Sequence, residues 1–285
     1  MIRNVTINVT NPAIIQRAST GKGGPLHANE RRGKAIKRML QNWRSSSRPE
    51  ALRKKFEPHL AFVRARLSRE SVMGLQLTLS ALVLIGAGWL FGGIAEDVVT
   101  GDPLTVVDVL VADWLHVHAT PAVTKWMLVI THANGPSAIV IFSALVSVYL
   151  LAKRDWYWLT ALIVVVPGGM LLNVLMKYAF QRTRPHFDDP LLVLTTYSFP
   201  SGHVAGATLF YGLLTAYMVA HITEWRWRAA IAVLALLIVV AVAASRMYLG
   251  VHYLSDVLAA FAEGLAWLVL CLTALRTWRH TAARP

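Results

Sequence analysis

Six apolar runs, at about residues 73–94, 136–152, 156–180, 203–221, 229–245 and 254–275, constrain the fold of this chain more than any other feature. Most approach or exceed the roughly 18–20 residues that carry a helix through the hydrocarbon core of a bilayer. A soluble helical bundle has no need of so many. With 55% of its 285 residues hydrophobic, the chain is also too apolar for an ordinary soluble domain of its length. The expected fold is therefore all-α, an integral membrane bundle of six transmembrane helices over residues 72–285.

The positive charge is not spread over this bundle. Residues 1–71 hold 16 Lys and Arg against 4 acids, which leaves 12 against 11 for the rest. Within this basic amino-terminal extension, residues 1–47 lack periodicity and are broken by "GKGGP" and "SSSRP", so disorder is expected there. From residue 49 to 70, Leu52, Phe56, Leu60, Val63 and Leu67 recur at helical spacing with Arg and Lys between them. That pattern predicts a basic amphipathic helix, bent at Pro58, on the cytoplasmic membrane surface. There it contacts anionic lipid, each basic residue contributing about 1 kcal/mol. Nucleic-acid binding by this tail is the weaker reading. The first 71 residues contain no apolar signal-peptide core, so the first span is expected to serve as an uncleaved anchor. Cys271 stands alone in an apolar run, which excludes an intrachain disulfide.

Orientation follows from the positive-inside rule. With a cytoplasmic amino terminus, six spans put the tail, "AKRDW" (152–156), "TEWRWR" (223–228) and "RTWRH" (276–280) inside, and all four are net positive. Residues 95–135, apolar in patches but broken by acids, Pro and Gly, read as one or two interfacial helices on the outer face. Both termini are then cytoplasmic, and three unusual stretches share the outer end of the bundle.

Those stretches are "KYAFQRTRP" (177–185), "SFPSGH" (198–203) and "SRMYLGVHYLSD" (245–256). Lys177, Arg184 and Arg246 supply three cations that would repel one another without an anion between them. An arginine fork suits the oxygens of a phosphoryl group. The backbone N–H groups of Ser201, Gly202 and His203, with the Ser201 hydroxyl, open a helix whose dipole favours negative charge. His252 and Asp256, four apart, share a helix face, so the carboxylate can hold one ring nitrogen while the other attacks phosphorus. His203 is placed to protonate the leaving oxygen and then activate water. Nothing in this set requires a metal, and no cofactor is implied.

Lys-x6-Arg-Pro, Pro-Ser-Gly-His and Ser-Arg-x5-His-x3-Asp, in this order, resemble the complete three-part signature of the type 2 phosphatidic acid phosphatase superfamily. Each motif alone is weak, whereas the ordered set is specific. The resemblance covers roughly residues 73–276. It implies a six-helix membrane enzyme that hydrolyses a lipid phosphate or isoprenoid pyrophosphate without metal, at an outward-facing site. Lys177, Arg184, Ser201, Gly202 and Arg246 then bind phosphate, His203 is the acid, and His252 is the nucleophile that becomes a phosphohistidine. Undecaprenyl pyrophosphate, phosphatidylglycerol phosphate, phosphatidic acid and lipid A phosphate are all open as substrates, in the inner membrane of a bacterium with the site on the periplasmic face.

Two further residues are accessory candidates. Arg182 can meet the second phosphate of a pyrophosphate or stand in solvent as a loop residue. Glu263, two turns below Asp256, can line the substrate's entry or bond a neighbouring helix, the structural role being favoured. Asp188, Asp189, His116, His118 and His132 are weak metal-ligand candidates, and "PGGM" (167–170) signals close helix packing or a kink. The competing function is an anionic-lipid binding or transport protein with an idle phosphate site, which would not need a poised nucleophile and acid. A vanadate-dependent oxidant with the same cage is the more distant alternative.

Overall fold

In the computed structural model the chain divides into two units, Met1–Leu67 and Ser68–Pro285. The structure describes residues 72–282 of the second unit, and only Lys37 and Glu57, both helical and exposed, of the first. The expectations of disorder over 1–47 and an amphipathic helix over 49–70 thus fall outside the described residues, Glu57 apart.

Among the described residues the regular elements of the second unit are all helices, with no strand. Its elements are α1 (Val72–Thr100), α2 (Pro103–Val117), α3 (Pro121–Ala133), α4 (Pro136–Ala152), α5 (Trp156–Phe180), α6 (Gly202–His221), α7 (Trp225–Tyr248) and α8 (Leu254–Ala282). Proline opens α2, α3 and α4, where a missing N–H and a fixed φ suit the first turn. Asp155 caps α5 through the Trp158 N–H.

Five helices, α1, α5, α6, α7 and α8, are long and apolar enough to cross a membrane, and a sixth crossing is available only if α3 and α4 are taken together, bent by 44°. Residues 136–152 were expected to cross alone. At 17 residues, α4 is about 26 Å long, short of the ~30 Å hydrocarbon core. Gly135 and Pro136 break the helix between α3 and α4, and the pair taken as one crossing would draw the missing length from α3.

Helix α6 lies at the centre, packed on α5, α7 and α8. Small residues set these distances, as "PGGM" anticipated. A Cβ on Gly169 would lie 2.5 Å from Leu209 Cδ1, and one on Gly264 would lie 3.0 Å from Thr208 Cβ. Such close approach is how helices associate where lipid removes the hydrophobic drive. Apolar side chains face outward, as Ile85 and Trp89 do at 69% and 81% exposure, whereas Asn173, Arg246 and Asp256 point inward. Satellite clusters hold the site end of the bundle. Phe199, on the connection between α5 and α6, packs among Phe91 and Phe180. The turn after α7 packs Leu249 and Val251 against Leu115, Met127 and Leu128.

Candidate active site

Four helix ends converge on one region. Lys177 is in the last turn of α5, Gly202 and His203 open α6, Arg246 is in the last turn of α7, and Asp256 is in the first turn of α8. His252 sits in the turn between α7 and α8, where Gly250 takes φ +68°, a left-handed value that glycine adopts without strain. Lys177, Arg184, Arg246 and His252 all lie within electrostatic reach of His203. The eight residues expected from the three motifs are therefore brought together.

His252 is 2% exposed, with Nδ1 3.2 Å from Asp256 Oδ2 and Nε2 3.2 Å from Arg184 Nη1. A guanidinium only donates, so these partners assign the proton to Nδ1 and the lone pair to Nε2. Burial pushes the imidazole pKa down to about 3; Asp256 pulls it upward, and Arg184 and Arg246 add to the depression. The ring is thus neutral at neutral pH, with its basic nitrogen facing the cations.

Arg246 is 1% exposed; its Nη1 donates to Thr131 Oγ1 at 2.5 Å, while Nε and Nη2 are buried without a partner among the described residues. Ser201 Oγ is in the same condition. Buried donors left unpaired cost free energy, and an anion's oxygens would satisfy all three. Arg184 is more fully engaged. It donates to Thr196 O, Thr196 Oγ1, Tyr197 O and Val251 O as well as to His252.

The cradle differs from its sequence outline at two points. Lys177 Nζ donates to the carbonyls of Tyr197, Ser198 and Pro200, at 3.0, 3.2 and 2.5 Å, so it shapes the "SFPSGH" turn as well as lending charge. The Ser201 N–H donates to Asp256 O at 3.1 Å and is not available to a ligand. The N–H groups of Gly202 and His203 remain at the opening turn of α6, which has no intrahelical acceptor for them. Gly202 is seated on α5, since a Cβ there would lie 3.3 Å from Asn173 Oδ1.

The accessory candidates have other tasks. Arg182 is neither solvated nor open to a second phosphate. Its Nη1 meets Asp256 Oδ1 at 2.7 Å and Ser255 Oγ at 2.6 Å, and its Nη2 meets Asp108 Oδ2 at 2.8 Å. Burial works against the charged guanidinium, yet Asp256 and Asp108 hold its pKa above the ordinary value. Glu263 accepts from Asn173 Nδ2 at 2.9 Å, which is the inter-helix bond favoured for it. His116 pairs with Asp189 at 2.9 Å and stacks on Phe187, while His118 and His132 each bond a carbonyl four residues back.

Two residues of the site have no counterpart among the motifs. Thr131 fixes Arg246, and nothing in its sequence context marks it. Asp108 is fully buried on α2. Its signal was present in "VVDVLVAD", an acid set among valines in an apolar stretch, where such a residue faces protein.

Comparison with known proteins decides the family. A family model described as the PAP2 superfamily matches residues 156–280. Phosphatidylglycerophosphatase B of Bacillus subtilis is 31% identical over 146 residues, covering 51% of this chain and 71% of that one. The chain belongs to the PAP2 superfamily. The crystal structure of a transmembrane PAP2-type phosphatidylglycerolphosphate phosphatase from Bacillus subtilis matches with a TM-score of 0.62 at 27% identity, covering 70% of this chain and 98% of that chain. The present PAP2 protein is an integral membrane enzyme, a lipid phosphatase. The matched segment begins at α5, so Asp108 and Thr131 lie outside it.

Proposed function

We propose that this enzyme hydrolyses the phosphomonoester of a membrane lipid, phosphatidylglycerol phosphate before other substrates, through a phosphohistidine on His252. The observation that carries the reading is the state of His252. Its Nδ1–H is held by Asp256, and its Nε2 lone pair faces the cations. The phosphoryl group sits against Arg246 Nε and Nη2, Ser201 Oγ and the N–H groups of Gly202 and His203, with the charges of Lys177 and Arg184 beside it.

Nε2 attacks phosphorus, the P–O ester bond breaks, and His203, which takes up a proton as the anionic phosphate enters beside it, gives that proton to the leaving alkoxide. Water then attacks the phosphohistidine, its proton passes to His203, and the P–N bond breaks to release inorganic phosphate. No step calls for a metal.

Two observations support the choice of a monoester. The relative of 31% identity carries a phosphatidylglycerophosphatase name. Arg182, the cation that a pyrophosphate's second phosphate would have used, is held by Asp256 and Asp108.

The site faces the outer side of a bacterial inner membrane, with both termini cytoplasmic. In support, Lys153, Arg154, Arg226, Arg228, Arg276 and Arg279 stand at the helix ends away from His252. From Asp256 to Arg276 along α8 is about 30 Å, the thickness of a bilayer core. On charge alone, the basic extension of residues 1–71 contacts anionic lipid.

A panel of lipid phosphates assayed in detergent with EDTA present tests this reading. Phosphate release from phosphatidylglycerol phosphate is expected to exceed that from undecaprenyl pyrophosphate, phosphatidic acid and lipid A phosphate. A pyrophosphate ranked first, or turnover abolished by EDTA, would overturn it.

A further inference from the structure

The three motifs account for the cationic side of His252. On its other side stands a carboxylate that none of them contains. Asp108 Oδ1 accepts the Ser255 N–H at 2.9 Å, and Oδ2 accepts Arg182 Nη2 at 2.8 Å and the Ser255 hydroxyl. Arg182 Nη1 reaches both Ser255 Oγ and Asp256 Oδ1, so the four side chains form one network ending at the Asp256–His252 bond. Asp108 is 0% exposed although Val106, Val107, Val109 and Leu110 around it are exposed. A carboxylate buried away from water is expensive. Capping the first turn of α8 would not require one, since a neutral Asn or Ser serves as well.

What a neutral cap lacks is charge. Arg182 alone would neutralise Asp256, leaving a poorer acceptor for the Nδ1–H as positive charge develops on the attacking imidazole. With Asp108 sharing Arg182, two carboxylates flank one guanidinium and the network carries a net negative charge toward His252. We propose that Asp108 is a positioning residue of the phosphoryl transfer, which holds Arg182 and Ser255 so that Asp256 stays aligned on His252 and keeps its charge for the ring. This rests on the assignment of His252 as nucleophile.

Asp108→Asn preserves shape and removes the charge. In the full-length enzyme, kcat is expected to fall on the order of 10- to 100-fold with KM within about threefold, since the residue does not touch substrate. The decisive measurement is the same substitution in an Arg182→Gln background. There Asp108 and Asp256 face each other without a cation, so Asp108→Asn should leave kcat unchanged or raise it. A kcat within about threefold of wild type in the single variant, or an equal fall in both backgrounds, would overturn the proposal. Should Asp108→Asn fail to fold, Ser255→Ala keeps both carboxylates and tests the same link: a several-fold fall in kcat at constant KM is expected, and no fall would sink the idea. Failure of the nucleophile assignment itself reads differently, because wild-type enzyme would then form no acid-labile, alkali-stable phosphoenzyme.

Discussion

The two sides of His252 are built on opposite terms. On one side Arg246 and Ser201 keep buried donors without partners among the described residues, and three cations crowd together. On the other, both carboxylates and Arg182 are closed into a network whose members satisfy one another. The first side is unfavourable as it stands and favourable once an anion enters. The second is complete without substrate, so its task is to hold geometry. A site that must bind, and then release, phosphate needs this division, because a fully satisfied cage would have nothing to offer a ligand.

The largest expected effect comes from removing the residue the two sides share. His252→Gln should lower kcat by on the order of 10³- to 10⁴-fold while leaving the protein folded, as judged by its thermal unfolding in detergent. Turnover near the wild-type rate would remove the basis for comparing the two sides at all.

A smaller effect separates a donor from its support on the cationic side. Arg246→Gln should reduce kcat/KM by about 100-fold, in line with loss of one charged transition-state donor. Thr131→Val takes only the hydroxyl that fixes this arginine, and about 1 kcal/mol, or roughly five- to tenfold, is expected. If the threonine variant matched the arginine variant, Arg246 would depend wholly on its anchor and would not be a free donor. Steady-state kinetics on one lipid phosphate reads both.

The smallest effect lies in the pH dependence of stability. The folded-state pKa of His252, about 3, is depressed below an unfolded value near 6.5. Between those limits the unfolded chain binds the proton that the folded site resists, so stability is lost as pH falls from about 6.5 toward 3. Wild type should therefore lose more of its Tm than His252→Gln does between pH 7.5 and pH 5. Equal losses would mean that other groups carry the slope and that the ring is not held neutral.

The cationic side was legible in the sequence because its residues fall in short motifs at helix ends, and hydropathy alone brings those ends to one face. Spacing also gave the His252–Asp256 pair, four apart on one helical turn. Three features were not legible, each for a physical reason. Asp108 and Thr131 act through contacts more than 70 residues away in sequence, which no periodicity encodes; "VVDVLVAD" marks Asp108 as facing protein without naming its partners. Arg182 looked like a loop cation because its partners lie on α2 and α8. The sixth crossing is available only with α3 joined to α4 across a Gly-Pro break, and hydropathy along the chain does not register a bend.

The placement of Asp108 and Thr131 ahead of α5 bears on how this enzyme can be cut or recombined. A minimal version that kept residues 156–280 would retain every motif residue. It would leave behind the group that steadies Arg182 and the one that anchors Arg246. On the proposed roles, chimeras that exchange the first half of the chain between relatives alter the supports of the site itself, and the smallest transplantable unit includes α2 and α3.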